Sequence, residues 1–369
     1  MKMTRSFIAN RLAALRKEMA SRELDAFFSL NFSNVTYLSG FTGEESFVLL
    51  TGKDHGAANY FITDSRYTEQ AEAECPDYQV IKYRDKYPPL AETVALLSRE
   101  QGVKRIGFER EHIPYSRFEE LQAAMPAGME LVPVSGLTEK LRIVKDAGEQ
   151  ELLRHACACT DAVFNGLCEY IHAGRTEKEV EWQLLTLTHE MGCGVSFPPI
   201  VVSGERGSLP HGRASDKVLV DGEFLTMDFG CLYGGYHADM TRTVCIGSAT
   251  PKHIEIYNIV LEANQRAEAI MRAGISGKAV DAAARDFITE KGYGANFGHG
   301  LGHGVGLDIH EQVFMSPRCE DDLPAGCVMT VEPGIYLPNW GGVRIEDSVL
   351  VTENGIENLF SATKDMLCL

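Results

Sequence analysis

The chain repeats a 25-residue pattern at an offset of 100 residues. Residues 173–197 read AGRTEKEVEWQLLTLTHEMGCGVSF, and residues 273–297 read AGISGKAVDAAARDFITEKGYGANF. Eight positions are identical, whereas unrelated segments of ordinary composition would share roughly one or two. Each copy is a helix start, a helix and a glycine-rich exit, with a long helix before it and strands after it. Unless helix-capping signals have converged by chance, the repeat predicts two similar α/β halves related by a pseudo-two-fold axis.

The part of the chain before this repeat has a different pattern. The runs FVLLT, NYFITD, YQVIKY and RIGFE predict strands, and residues 89–100 and 116–125 predict helices. Such alternation is typical of an α/β domain. A chain of 369 residues is long for one core, and the pattern breaks near PVSGLTEK. We therefore predict two domains, residues 1–135 and 136–369, the second opening with helices at 147–172 and 177–191.

Composition and charge argue against several classes of protein. The net charge of −17 opposes binding to nucleic acid or to an anionic membrane surface. No stretch approaches 18 apolar residues, so no membrane span is expected. Near the N-terminus Ile8, Leu12, Leu15 and Met19 recur at helical spacing, which is typical of a surface helix rather than a signal peptide. The ten cysteines form no CxxC pair, which favours reduced thiols in the cytoplasm, with Cys231 a small buried hydrophobe.

Four carboxylates interrupt apolar, strand-like segments of the second domain. Asp228 and Asp239 stand on the two arms of a hairpin predicted around the Gly-Gly turn of EFLTMDFGCLYGGYHADMTRTVCI. Glu332 lies within CVMTVEPGIYL, and Glu346 shares a strand face with Arg344 in GGVRIEDSVLVT. Each acid alone is most simply a satisfied surface or turn residue. Four acids in apolar runs are costly unless their charge is compensated.

Divalent cations would compensate these charges. Alternation along the hairpin puts Thr226 with Asp228 on one face, and His237, Asp239 and Thr241 together on one face. Four carboxylates and a histidine form an oxygen-rich site, which suits Mn²⁺, Co²⁺ or Fe²⁺ better than a structural zinc site made of thiolates. Because so many acids exceed the needs of one ion, two ions bridged by carboxylates are predicted.

A glycine-rich stretch, FGHGLGHGVGLDIHE, holds His299, His303 and His310. A lone histidine is usually structural, but three close together among glycines favour a functional site, since glycine lets the backbone approach a ligand. Other known motifs do not account for the stretch. The glycines do not fit G-x-G-x-x-G, HEQVF is not HExxH, and the DFG at 228–230 lacks the HRD loop and VAIK strand of a kinase.

These motifs together resemble the pita-bread metallopeptidases, in the branch of aminopeptidase P and prolidase, over essentially the whole chain. NVTYLSGFTG and FITDSRYTEQA are similar to the creatinase-type N-terminal domain of that family, and DFG…HADMTRT, GHGLGHGVG, VEPGIY and VRIEDSV are similar to its metal-site motifs. The fold implied is α/β (α+β), with a creatinase-type N-terminal domain followed by a pseudo-two-fold pita-bread catalytic domain. In one departure, Val313 stands where the family often has proline, near the rim at His310 and away from the ligand positions.

The resemblance implies a set of site residues and a chemistry. The metal ligands of the family fall on Asp228, Asp239, His303, Glu332 and Glu346. The further catalytic histidines fall on His211 (in LPHGRAS), His299 and His310. Two divalent ions are implied, Mn²⁺ first, with Co²⁺, Fe²⁺ or Zn²⁺ as alternatives. A hydroxide held between them would attack the carbonyl before proline, Glu332 would relay the proton, and the histidines would stabilise the oxyanion.

The activity implied is metal-dependent cleavage of peptides with proline at the second position. An Xaa-Pro aminopeptidase is the preferred assignment, and an Xaa-Pro dipeptidase is the second choice. Thr241 and Arg344 are expected behind the ligands, with Arg344 paired either with an acid or with the substrate. A homodimer is expected.

Two alternatives to this activity are a metal-free amidinohydrolase like creatinase and a non-catalytic binding module on the same fold. Both would be free to lose metal ligands, so the complete set of five argues against them. A methionine aminopeptidase is disfavoured, because the long N-terminal domain would be surplus to that activity.

Overall fold

The structure, a computed structural model, describes residues 5–369. Packing divides the described chain into two compact units, one ending at Arg142 and the other beginning at Ile143. The boundary predicted from the sequence was 135/136. Both units combine helices with sheets, which confirms the predicted α/β (α+β) class.

The N-terminal unit is built on one six-stranded sheet. Its strands are β1 (Ala26–Ser29), β2 (Phe47–Thr51), β3 (Asn59–Thr63), β4 (Gln79–Lys82), β5 (Arg105–Glu109) and β6 (Glu130–Val134). Its helices are α1 (Arg5–Ser21), α2 (Phe32–Ser39), α3 (Thr68–Glu74), α4 (Leu90–Glu100), α5 (Tyr115–Ala124) and α6 (Glu139–Arg142). The strands lie in the order β4-β3-β2-β1-β5-β6, with β1 antiparallel to β2 and parallel to β5.

Most elements predicted for this unit are confirmed. Strands β2 to β5 and helices α4 and α5 match the predicted segments to within one residue at each end. Helix α1 buries Ile8, Leu12, Leu15 and Met19 on one face, as the helical spacing predicts. The prediction missed β1, whose four residues AFFS are all buried. A strand that is buried on both faces shows no alternation, so its pattern carries no period to detect.

The C-terminal unit contains four longer helices and several small sheets. The helices are α7 (Ala147–Tyr170), α8 (Glu177–Glu190), α9 (Pro251–Ile270) and α10 (Gly277–Glu290). The strands are β7 (Gly194–Val195), β8 (Ile200–Ser203), β9 (Glu223–Phe229), β10 (Cys231–Tyr233), β11 (Tyr236–His237), β12 (Met240–Ile246), β13 (Gly302–Gly304), β14 (Glu311–Met315), β15 (Val328–Val331), β16 (Gly334–Leu337), β17 (Gly341–Arg344), β18 (Asp347–Val351) and β19 (Ile356–Asn358). The two principal sheets have the orders β12-β9-β8 and β14-β13-β15-β18-β19.

The repeat in the sequence corresponds to a repeat in the backbone. Helices α8 and α10 begin and end 100 residues apart, at 177–190 and 277–290. The residues before them make matching hydrogen bonds: the amide of Gly174 donates to the Leu219 carbonyl at 2.9 Å, and that of Gly274 donates to the Leu323 carbonyl at 2.9 Å. Each half then adds three antiparallel strands, β8-β9-β12 and β13-β15-β18. The predicted pseudo-two-fold construction is confirmed.

The predicted hairpin around the Gly-Gly turn is more complex than the sequence suggests. Gly234 and Gly235 both have positive φ, 57° and 86°, and connect β10 to β11 in a small separate sheet. The chain leaves that sheet after His237 and enters the β12-β9-β8 sheet at Met240. The prediction that His237 shares a face with Asp239 and Thr241 is therefore wrong. His237 instead contacts the Ser196 hydroxyl through Nδ1 at 2.9 Å.

Two smaller predictions can be compared with the structure. All ten cysteines are free thiols, and Cys231 is buried in the apolar core of the first half. Burial raises the pKa of its thiol, which agrees with an inert small hydrophobe. In residues 5–369 no helix combines the length and the apolar character needed to cross a bilayer.

Candidate metal centre and active site

The strand ends of the two halves bring the predicted metal-ligand acids together. Asp228 lies near the end of β9, Asp239 directly precedes β12, and Glu346 directly precedes β18. One carboxylate oxygen from each of these acids lies within 4.8 Å of the other two. His303 completes the group, because its Nε2 lies 3.6 Å from Asp239 Oδ2 and 3.5 Å from Glu332 Oε1. The five predicted ligand positions thus form one cluster, in which Glu332 is half-buried and the other four residues are buried.

The electrostatics of this cluster are unfavourable for the side chains by themselves. Burial, reinforced by the neighbouring carboxylates, raises the pKa values of Asp239 and Glu346 well above their usual range. Burial also raises the pKa of Glu332, to about 8. The Oδ1 atom of Asp228 is buried and has no hydrogen-bond partner among the described residues. Buried carboxylates with an unsatisfied oxygen are the donor set that a divalent cation would complete.

His303 is held in the form that binds a metal. Its Nδ1 lies 2.9 Å from the Gly304 carbonyl oxygen, so Nδ1 carries the proton and donates it. The lone pair of Nε2 therefore points toward the acids. Burial lowers the pKa of His303 to about 4, which keeps the ring neutral at pH 7. A Cβ on the adjacent Gly302 would overlap the carbonyl oxygen of Thr330, so only glycine lets this strand approach β15.

Arg344 is buried beside the acids and pairs with one of them. Its Nη2 donates to Asp228 Oδ2 at 2.7 Å, and its Nε donates to the Thr241 hydroxyl at 3.0 Å. That hydroxyl donates in turn to Glu346 Oε2 at 2.6 Å. The sequence leaves open whether Arg344 pairs with an acid or with the substrate. In the structure it pairs with an acid, Asp228. Thr241 and Arg344 both orient carboxylates of the cluster.

Tyr336 belongs to the site although it was not among the residues predicted from the sequence. Its hydroxyl accepts a hydrogen bond from Arg344 Nη1 at 2.8 Å and lies 2.9 Å from His299 Nε2. His299 Nδ1 lies 2.8 Å from the Gly300 carbonyl oxygen and donates to it. Burial lowers the pKa of His299 to about 4, so the neutral ring accepts a hydrogen bond at Nε2 from the tyrosine hydroxyl. Both ring nitrogens of His299 are engaged within the protein.

A cavity of about 380 Å³ opens onto the cluster. His211 and His310 line it together with the five acid and histidine positions of the cluster. Burial and the nearby His211 lower the pKa of His310, which favours its neutral form. Part of the wall is apolar, formed by Phe197, Pro198, Ile200, Pro210, Ile309 and Phe314. Val313 packs into the apolar core of the second half, while its neighbour Phe314 faces the cavity.

Glu177 fixes the loop that carries His211, and it too was missed in the prediction from sequence. This carboxylate is fully buried and accepts hydrogen bonds from the amides of Ser203, at 2.7 Å, and Ser215, at 3.0 Å, which lie at the two ends of the loop. It also accepts from Arg206 Nε at 3.0 Å. Position 277, its counterpart in the repeat, is glycine, where a Cβ would overlap the carbonyl oxygen of Phe314. The two halves therefore diverge where each supports a histidine-bearing loop.

Replacing Glu177 with alanine is expected to lower both stability and kcat/KM. The change leaves Arg206 and several donors without their buried acceptor, which costs about 3 kcal/mol in the free energy of unfolding. The loosened loop is expected to displace His211 and to lower kcat/KM by roughly 10-fold or more. Thermal unfolding, and kinetics well below the melting temperature, measure both effects.

The matched control is Glu179→Ala on the same helix. Glu179 is the exposed partner of Thr176 in the capping box of α8, so its loss is expected to cost about 1 kcal/mol of stability and to leave kcat/KM unchanged. Wild-type kcat/KM in folded Glu177→Ala would contradict the positioning role.

Two similar α/β halves around a buried cluster of acids and a histidine define a class of protein, the metallopeptidases of the pita-bread fold. The model of metallopeptidase family M24 matches residues 151–353, and the model of the Creatinase/Prolidase N-terminal domain matches residues 11–144. The chain belongs to metallopeptidase family M24.

Relatives with known names cover nearly the whole chain. An Xaa-Pro dipeptidase of Pyrococcus horikoshii is 35% identical over 351 residues, which are 95% of this chain and 96% of the relative. The structure of an Xaa-Pro dipeptidase from Bacillus anthracis is 39% identical, covers 98% of this chain and 100% of that chain, and has a TM-score of 0.94. The structure of an X-Pro aminopeptidase from Thermotoga maritima is 38% identical, covers 97% of this chain and 99% of that chain, and has a TM-score of 0.88.

These likenesses confirm the predicted branch of aminopeptidase P and prolidase. They do not support the predicted order, which placed the aminopeptidase before the dipeptidase, because Xaa-Pro dipeptidases recur among the similar sequences. The creatinase-like amidinohydrolase and the non-catalytic module are not favoured.

Proposed function

We propose that the protein is an Xaa-Pro dipeptidase that works with two divalent metal ions, Mn²⁺ first. The observation that carries this proposal is the buried cluster of four acids and His303, which opens directly into a cavity lined by two more histidines. The names of the similar dipeptidases support the choice of substrate. A homodimer and a cytoplasmic location stay predictions.

Five side chains would hold the ions, and the chemistry of the donor set fits them. These side chains are Asp228, Asp239, His303, Glu332 and Glu346. Bound divalent ions would supply a Lewis acid and would lower the pKa of water at the site. Arg344 and Thr241 hold two of the carboxylates in place from behind, and this preorientation reduces the cost of assembling the site.

The other residues of the cavity act on the substrate. The apolar wall, including Phe197, Ile200 and Phe314, offers contact surface to the proline ring. His310, which is neutral because burial lowers its pKa, can donate a hydrogen bond from its N–H to the oxyanion that forms on the carbonyl before proline. His211 faces the same cavity and is placed to do the same. Of the two carboxylates near His303 Nε2, that of Glu332 is the more exposed, which suits it to accept the proton that the attacking water loses and to pass it to the leaving nitrogen of proline.

An aminopeptidase acting on longer peptides is the second candidate, favoured by the likeness to the Thermotoga maritima protein. The two activities differ in the group attached to the carbonyl side of the proline. In the substrate of a dipeptidase this group is a free carboxylate, and in the substrate of an aminopeptidase it is a further peptide bond.

The assay that separates these activities compares Gly-Pro with Gly-Pro-Ala for enzyme loaded with Mn²⁺, Co²⁺ or Zn²⁺. We expect kcat/KM for Gly-Pro to exceed that for Gly-Pro-Ala by roughly 10-fold or more, since a site that binds a charged group discriminates against the substrate that lacks it. Gly-Ala serves as the control and is expected to remain uncleaved. The opposite preference would establish the aminopeptidase. If no Xaa-Pro peptide of two to five residues is cleaved with Mn²⁺ or Co²⁺, the peptidase assignment is wrong and the non-catalytic binding module replaces it.

A further inference from the structure

Two arginines line the cavity, and they differ in what they bind. The guanidinium of Arg344 is buried and committed to Asp228, Thr241 and Tyr336. Arg213 is exposed on the cavity wall. Within residues 5–369 no carboxylate oxygen lies within 4.0 Å of its guanidinium. A cavity that holds four acids therefore also presents one arginine whose charge is not paired inside the protein.

The guanidinium of Arg213 is held in a fixed orientation by the backbone. Its Nη1 donates to the carbonyl oxygens of Pro198, at 2.6 Å, and Pro199, at 3.4 Å. In the described chain, Nε and Nη2 donate to no protein acceptor. Side by side, these two nitrogens form the edge that binds a carboxylate through two parallel hydrogen bonds.

The loop around Arg213 is also fixed. The carbonyl oxygen of Arg213 accepts a hydrogen bond from Arg206 Nη2 at 2.5 Å. Arg206 in turn binds the buried Glu177, which holds both ends of the loop. An arginine that is already oriented loses little conformational freedom when a ligand binds, so its hydrogen bonds contribute more fully to affinity.

Arg213 and His211 lie on the same loop, and both line the cavity that opens onto the acids. His211, two residues before Arg213, lines this cavity together with His299 and His310. The reacting carbonyl belongs near these histidines and the acids. In a dipeptide the free carboxylate is carried by the proline itself, one residue beyond the reacting carbonyl. In a longer peptide the same position holds a neutral amide.

We propose that Arg213 binds the C-terminal carboxylate of the Xaa-Pro dipeptide and thereby selects dipeptides over longer peptides. The inference rests on the proposed Xaa-Pro peptidase activity and names the residue that sets its substrate length. Arg213 also attracts the half-buried carboxylate of Glu181 on α8. If compensating Glu181 were the purpose of Arg213, removing the charge of either residue would have the same effect.

The experiment compares wild type, Arg213→Met, Arg213→Lys and Glu181→Gln, all loaded with Mn²⁺, on Gly-Pro and on Gly-Pro amide. The amide has the shape of the dipeptide without its charge. For Arg213→Met we expect KM for Gly-Pro to rise by roughly 30-fold, the effect of losing a charge-assisted pair of hydrogen bonds. We expect kcat to change less, and kcat/KM for the amide to stay within roughly 3-fold of wild type. Arg213→Lys should fall between the two, because lysine keeps the charge and loses the paired geometry.

Several outcomes would overturn the inference. Equal losses on Gly-Pro and Gly-Pro amide would mean that the substitution disturbs the loop and not a carboxylate contact. A Glu181→Gln variant that reproduces Arg213→Met would assign Arg213 to Glu181. If wild-type enzyme cleaves Gly-Pro-Ala and not Gly-Pro, the proposed role of Arg213 in binding the carboxylate is wrong, whereas the proposed peptidase activity stands. Wild-type enzyme that cleaves no Xaa-Pro peptide would remove the proposed function, and the anchor with it.

Discussion

Replacement of His303 by alanine is expected to abolish both metal binding and Xaa-Pro cleavage. The Nε2 lone pair of this ring is aimed between Asp239 and Glu332, and no other histidine nitrogen approaches the acids as closely among the described residues. Without it, the acids lose the one neutral donor of the cluster. Metal content measured on the purified, dialysed protein, together with kcat/KM for Gly-Pro, tests this expectation.

His211→Ala and His310→Ala are the variants to compare with His303→Ala. Both residues line the cavity, and neither makes an ion-pair contact with the acids in the described chain. We expect each substitution to lower kcat/KM by roughly 10²-fold or more, because each removes a group that orients the substrate or stabilises the oxyanion. Metal content should stay near that of wild type.

The three variants also test the assignment of roles. Loss of metal from all three would mean that the ligands and the substrate-facing histidines have been assigned incorrectly. Unchanged turnover in the 211 and 310 variants would remove those two residues from the mechanism.

Metal removal is expected to destabilise the protein strongly, and more at pH 8 than at pH 6. In the metal-free protein, burial raises the pKa of Glu332 to about 8 and raises those of Asp239 and Glu346 well above their usual range. A carboxyl whose pKa is raised on folding stabilises the folded state below its unfolded pKa, roughly 4. This contribution disappears as pH rises through the folded pKa. The metal-free protein should therefore lose stability between about pH 4 and pH 8.

Bound ions reverse this effect because they bind the charged carboxylates of the folded state. At an ion concentration 1,000 times Kd, binding stabilises the folded state by about 4.1 kcal/mol. Thermal unfolding of protein treated with chelator, with and without added Mn²⁺ at the two pH values, measures the effect.

Asp239→Asn is the matched variant for this prediction. It should raise the melting temperature of the metal-free protein, because a buried amide requires neither a buried charge nor the uptake of a proton on folding. It should also remove most of the increase caused by Mn²⁺. An equal increase in the variant and in wild type would contradict a role for Asp239 in metal binding.

The acids of the candidate site were predictable from sequence because charged residues are unusual inside apolar strands. Asp228, Glu332 and Glu346 interrupt runs of valine, isoleucine and methionine, and burial of a carboxylate needs a compensating partner. The internal repeat was also visible, since helix starts and glycine exits follow local rules of capping and backbone conformation. Both signals depend on neighbours in the chain, so they can be read without a structure.

Other residues of the site gave no such signal. Glu177 looks like an ordinary acid in the first turn of a helix, and Tyr336 looks like an ordinary aromatic residue in a strand. Their roles come from contacts with residues far away in sequence, such as the bonds from Ser203 and Ser215 to Glu177 and from Arg344 to Tyr336. Local pattern cannot report a contact that only packing creates.

The sequence by itself determined the class of fold, the two-fold repeat, the family resemblance and the positions of the acids. The tertiary structure decided that Arg344 faces Asp228, that His299 is engaged by Tyr336, and that His237 leaves the sheet that holds Asp239. It also left Arg213 as the unpaired cation of the cavity wall among the described residues. The reason is physical: periodicity and propensity specify which face of an element is buried, whereas the direction of a side chain and the identity of its partner depend on how separate elements pack together.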